Sequence, residues 1–117
     1  MKKLIAAALF GGVLLAAPGA FADEARDNIL RVEAQMQALN AADANAAAAT
    51  NYQEAQLRLN EARAAEDRNR REESLWRSEE ASLQGEVVQE KIKLRGLQRT
   101  VSEIETGLET LRRELNS

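Results

Sequence analysis

The chain contains no cysteine and no histidine. Without cysteine there is no disulfide, no thiolate nucleophile, no zinc site of the Cys/His kind, and no residue to carry a lipid. Without histidine the commonest general acid/base and the usual transition-metal ligand are both missing. Carboxylates are plentiful, but they come mixed with arginine at helical spacing instead of as a convergent pair. Glycine-rich phosphate loops do not occur. These absences remove the main catalytic constellations. The expectation is a non-enzymatic protein with no cofactor and no metal.

The one proline (Pro18) and both phenylalanines (Phe10, Phe21) fall within the first 22 residues. That segment has a pattern of its own. Lys2 and Lys3 form a basic start, Leu4 to Ala17 is an apolar run of 14 residues, and Ala20-Phe21-Ala22 supplies a small-x-small cleavage signature. The run is shorter than the roughly 20 residues that a membrane-spanning helix needs. Residues 1–22 are therefore expected to be a cleavable secretory signal peptide, with Asp23 as the new N-terminus. The product is expected to be periplasmic, neither a lipoprotein nor membrane-spanning. Of 117 residues 95 then remain, and losing Lys2 and Lys3 takes the net charge from −3 to −5.

That charge opposes a phosphate backbone, and the basic residues alternate with acids instead of forming a stripe. Arg68, Arg70 and Arg71 make the densest basic knot, flanked by Glu66, Asp67, Glu72 and Glu73. A solvated charged segment explains them, and no nucleic-acid partner is expected.

From Asp23 onward the chain is rich in Ala, Glu, Arg, Gln and Leu, has no proline and has three glycines. This composition favours helix. Leu, Ile and Val number only 18 of the 95 residues, close to the level at which disorder competes. Their periodicity argues for order. Ala25, Ile29, Val32, Met36 and Leu39 recur at spacings of 4, 3, 4, 3 and share one helix face. An alanine-dense tract follows, from Ala41 to Ala49, with little to bury. Thr50 and Asn51 interrupt it, and Asn51 with Glu54 fits a capping box, which predicts a fresh helix start. Tyr52, Ala55, Leu59 and Ala62 then form a second set. The polar run from Glu66 to Glu73, with Asn69 and Glu72 as another capping box, predicts a turn near residues 67–70. An unbroken helix competes with it, because one heptad phase runs from Tyr52 through Ala62, Trp76, Leu83 and Val87.

The last set is the most regular. Leu94, Leu97, Val101, Ile104, Leu108, Leu111 and Leu115 recur at 3, 4, 3, 4, 3, 4, a coiled-coil seam. The rival explanation is an ordinary amphipathic helix packed on its own domain, and length weighs against it. Helices over 23–48 and 52–66 would span about 39 and 22 Å, against about 67 Å for one over 71–115. The seam lies beyond the reach of the chain's own helices. Leaving seven large aliphatics in water is costly, at about 1.5–3 kcal/mol each. The seam calls for another chain.

Acid-to-base pairs at i, i+4 (Asp27/Arg31, Glu54/Arg58, Glu66/Arg70, Asp67/Arg71, Glu73/Arg77, Glu109/Arg113) fit solvent-facing helices, at about 0.2–0.5 kcal/mol apiece. Three further details have a bland and a sharp explanation. Gly85, Gly96 and Gly107 recur every 11 residues, by chance or as a close-approach groove. Trp76 and Tyr52 read as packing anchors before a ligand pocket. Glu72, Glu73, Glu79 and Glu80 read as solvated surface before a cation site, since adjacent pairs diverge on a helix.

The residues Tyr52-Gln53-Glu54-Ala55, Leu59 to Ala65, Asp67-Arg68-Asn69 and Leu75 to Ala81 resemble a domain-of-unknown-function family of small secreted bacterial proteins. The resemblance runs from Arg26 to about Lys93. Members are Ala/Glu/Arg-rich envelope proteins that occur alone, as lipoproteins, or ahead of an OmpA-like domain. This chain departs from the family at Ser74, Ser78 and Gly85, where alanine is usual, and has neither a lipobox cysteine nor an OmpA-like domain. The resemblance implies a helical envelope protein and brings no catalytic residue with it.

The expected architecture is all-α: a short antiparallel helical hairpin or three-helix unit over 23–93, then a C-terminal coiled-coil extension over 94–117. The expected function is an envelope scaffold or adaptor. Its partner is another copy, giving a homo-oligomer through the C-terminal helix, or a different envelope protein. A holdase-type chaperone and a weak cation or small-ligand binder are the alternatives. The seam mixes Leu, Val and Ile on both core positions, so strand number and orientation stay open.

Overall fold

In the computed structural model, residues 17–117 are described; most of the expected signal peptide, residues 1–16, lies outside them. The described chain is three helices: α1 Ala17–Gln37, α2 Ala41–Asp67 and α3 Arg71–Asn116. The all-α expectation holds, with a long C-terminal helix of 46 residues. The molecule is elongated, 80 Å along its longest axis and 15 Å along its shortest.

The order is up, down, up. Helix α2 runs antiparallel to both neighbours, with Arg63 on α2 bound to Glu33 on α1 at 2.7 Å and Arg26 bound to Glu66 at 3.3 Å. Helix α3 holds the unit together, contacting both α1 and α2, which touch each other less. One cluster joins Ile29, Val32 and Met36 of α1 to Ala55, Leu59 and Ala62 of α2 and Ala81 of α3. A second puts Ala44 and Ala48 against Val88. The alanine tract therefore does bury a face: its small side chains let α2 lie close on α3.

The α1–α2 turn is at Ala38–Asn40, not near residue 50. Asn40 caps α2, its Oδ1 accepting from the Asp43 backbone N–H at 2.9 Å, and Asp43 adds favourable charge in the first turn. The expected start at Asn51 is replaced by a kink inside α2, where Ala48 leaves helical geometry (φ −157°, ψ 54°). Asn51 is not a cap. Its Nδ2 donates to Gln84 Oε1 at 2.8 Å and its Oδ1 accepts from Lys91 Nζ at 2.7 Å, so it ties α2 to α3.

The turn near 67–70 is present, between Asp67 and Arg71. The competing unbroken helix is excluded. Arg70 N–H donates to Ala65 O at 2.8 Å and Asn69 N–H to Glu66 O at 3.0 Å, a Schellman ending. Asn69 carries the required positive φ of 61°. It terminates α2 rather than capping α3, whose N-cap position is Arg70 without a side-chain bond. Asn69→Gly is expected to leave the melting temperature unchanged or slightly raised. Asn69→Val, β-branched in a left-handed position, should cost about 1–2 kcal/mol in thermal unfolding.

Of the six i, i+4 pairs, Glu54–Arg58 forms, at 2.6 Å. Two others, Glu66/Arg70 and Asp67/Arg71, straddle the turn and cannot form on one helix. Two arginines instead bridge helices: Arg31 reaches Glu79 at 3.9 Å, and Arg77 reaches Glu61 at 3.6 Å while also pairing with Glu80 on its own helix at 2.9 Å. Arg58 sits among Glu54, Glu61 and Glu80. The hydrogen bond to Glu61 raises its pKa most, desolvation opposes this, and the surrounding carboxylate charges add to the rise.

Candidate interaction surface

Helix α3 has two faces of different make-up. The inner face, turned to α1 and α2, carries Ser74, Ser78, Ala81, Gly85 and Val88, all buried. The spacing is 4, 3, 4, 3, a heptad pattern written in small residues. Ser74 and Ser78 lose all contact with water. Ser74 Oγ donates to Ala62 O at 2.9 Å, and Ser78 Oγ donates to Leu75 O at 3.0 Å while accepting from Asn28 Nδ2. Their hydroxyls are satisfied, so they can occupy core positions at little cost. Sequence periodicity in large aliphatics missed these residues; the 3–4 spacing of Ser, Ala and Gly was the available signal.

Gly85 belongs to the same close approach. A Cβ there would stand 2.7 Å from Gln35 Nε2. Gln35 cannot move freely, since it donates to Ser82 O at 2.9 Å and accepts from Ser82 Oγ at 3.0 Å. Gly96 and Gly107 meet nothing. The 11-residue recurrence is therefore not one groove. Gly96→Ala is expected to raise helix stability by about 0.5–1 kcal/mol. Gly85→Ala should lower the melting temperature by displacing Gln35, and calorimetry of the two variants checks the contrast.

The outer face is where the expected seam lies. Leu94, Leu97, Val101, Ile104, Leu108, Leu111 and Leu115 are all exposed, from 53% at Val101 to 85% at Leu115. Neither α1 nor α2 covers them. The last residue of α3 packed on the unit is Ile92, against Ala44, Ala48 and Val88. Beyond it the inner phase turns polar, through Arg95, Arg99, Ser102 and Thr106. Only the outer phase stays apolar.

That outer stripe begins earlier than Leu94. Trp76 (65% exposed), Leu83 and Val87 precede the seam in the same phase and also face solvent. Trp76 is thus not a packing anchor, a correction to the sequence reading, whereas Tyr52 does pack on both core clusters. Leu83, Val87 and Leu94 form an open apolar strip on α3, flanked by Glu86, Glu90 and Lys91.

The four glutamates of the α3 N-terminal half do not converge. Glu79 accepts from Asn28 at 3.4 Å, Glu80 pairs with Arg77, and Glu73 lies 3.6 Å from Arg70. Among the described residues no three His, Cys, Asp or Glu side chains gather as a metal site. Among the same residues no helix is long and apolar enough to cross a membrane. Among the described residues the outer stripe of α3 is an extended run of exposed large apolar side chains. Compared with protein-family models, curated proteins and solved structures, the chain matches none of them.

Proposed function

We propose that this protein is a non-enzymatic helical scaffold or adaptor of the cell envelope, acting through coiled-coil contacts of α3. The observation that carries this reading is the unbroken run of exposed aliphatics from Leu94 to Leu115 on a helix that outruns its own domain. A face of seven large apolar residues at 3–4 spacing is built to be covered by another helix. The basic, apolar and small-x-small pattern of residues 1–22 supports export to a periplasm.

The solution mass of residues 23–117 by light scattering, beside a version ending at Arg95, tests the reading. A dimer or larger for the long form and a monomer for the short form supports a self-associating scaffold. Two monomers leave the seam for a different envelope protein. The seam's exposure also favours a second reading, a holdase chaperone. Equimolar protein would then suppress aggregation of an unrelated denatured protein, and a scaffold would not.

A further inference from the structure

The inner and outer faces of α3 are related by a constant offset. Each buried residue has an outer counterpart two positions on: Ser74 and Trp76, Ser78 and Glu80, Ala81 and Leu83, Gly85 and Val87, Val88 and Glu90. Two residues turn a helix by about 200°, so the faces are opposed. One side of α3 serves α1 and α2; the other has Glu80 tied to Arg58 of α2 at 3.8 Å and is exposed from Leu83 onward. A second α3 can therefore lie on the outer face from Leu83 to Leu115 without displacing the three-helix unit.

We infer that the occupant of this face is α3 of a second copy, parallel and in register, with the two three-helix units on opposite sides of one end of the pair. This rests on the reading of the stripe as a coiled-coil interface, and adds its partner, orientation and extent. In heptad terms Val87, Leu94, Val101, Leu108 and Leu115 take the a positions. Leu83, Leu97, Ile104 and Leu111 take d. Core composition by itself sets no strand number, since leucine fills three of the five a positions and isoleucine one d position. Nine side chains per copy, each hiding on the order of 60–100 Å², bury about 1,000 Å² or more in total. A specific interface needs about that area.

Flanking charge favours the parallel orientation. In the parallel, in-register pair, Glu86 at g faces Lys91 at e of the second copy, whose ammonium has donors beyond the one held by Asn51 Oδ1, and symmetry makes the attraction twice over. The other flanking pairs join Glu79 to Gln84, Lys93 to Gln98, Thr100 to Glu105 and Gly107 to Arg112, so no like charges meet at the e and g positions. An antiparallel pair with Leu83 opposite Leu115 sets Glu86 against Glu114 of the second copy, which offsets its Lys91–Glu105 attraction. Sliding it one heptad toward the C-termini sets Lys91 against Arg112, which offsets its Lys93–Glu114 attraction. Two acids interrupt the stripe itself. Glu80 is held by Arg77 at 2.9 Å. Glu90, at d, meets its counterpart in the parallel pair, beside its own Lys93 at 3.5 Å. Glu90→Leu should therefore tighten association.

The chain has no cysteine, so single cysteines report on orientation in residues 23–117 directly. Leu83→Cys and Leu115→Cys are made separately, then oxidised mildly alone and mixed. Each variant alone is expected to close a disulfide-linked dimer, with little mixed product, and the parent is expected to have a dimer mass. Leu83→Glu, on a residue the unit leaves exposed, should weaken the dimer by about tenfold or more. A mixed 83–115 disulfide as the main product shows an antiparallel dimer and overturns the inference while self-association stands. A disulfide at 115 but not 83, with no effect of Leu83→Glu, shows the helices parting before Leu94 and overturns the extent. A monomeric parent at every concentration reached overturns the second copy as occupant, and leaves the adaptor form of the functional reading in place.

Discussion

Leu97→Lys combined with Leu108→Lys is expected to abolish self-association and leave the three-helix unit folded. Each substitution removes a large apolar side chain from the outer stripe, at about 1.5–3 kcal/mol of burial per leucine. It also asks the interface to desolvate an ammonium group. In a symmetric dimer both losses count on both chains. Together they exceed about 4 kcal/mol, or a thousandfold in the dissociation constant. Neither residue touches α1 or α2, so amide exchange over residues 23–93 should change only as far as assembly itself had slowed it. Sedimentation equilibrium of parent and variant decides the matter. Equal dissociation constants would remove the stripe from the interface.

Leu59→Ala is expected to produce the opposite pattern, loosening the unit while the C-terminal part of α3 keeps its associations. Leu59 is 5% exposed and sits among Ile29, Val32, Met36, Ala55, Ala62 and Ala81. Truncating a leucine in such a place costs about 2–5 kcal/mol. A small domain has about 5–15 kcal/mol in hand. The surrounding alanines are too short to fill the gap, so the cost should fall in the upper part of the range. Amide exchange should quicken across α1 and the C-terminal half of α2. Residues beyond Arg99 should be little affected. Uniform quickening along all of α3 would mean that the unit and the rod unfold as one.

The two variants separate features of unequal legibility in the sequence. The long C-terminal helix and its apolar stripe could be read directly, because an aliphatic repeat without exception has one periodicity to choose. The turn after Asp67 was also visible, in a run of eight polar residues. The turn after Gln37 was not placed, since Leu39 continues the 4, 3 spacing and three residues of turn barely disturb it. Its own signal, Asn40 three residues before Asp43, was passed over in favour of Asn51 and Glu54. On a polar helix the same two residue types serve lateral contacts as readily as caps, and Asn51 bonds sideways to Gln84 and Lys91. The faces of α3 were assigned by size. Large residues suggested the interior, yet close helix approach put Ser74, Ser78, Ala81 and Gly85 inside and left Trp76 and Leu83 outside.

That small-residue interior limits how the chain can persist in a cell. Of the twelve buried hydrophobic residues among those described, seven are alanine, and alanine contributes little apolar area for each residue it orders. An isolated chain therefore has a thin margin over its unfolded form, and if α3 associates as proposed, coverage of the outer stripe would widen it by mass action. The abundance of the protein would then set its lifetime. Diluted or partnerless copies would open more often, and be cut by proteases sooner, than copies held in an assembly. Turnover would thus keep the number of molecules matched to the assemblies available to hold them.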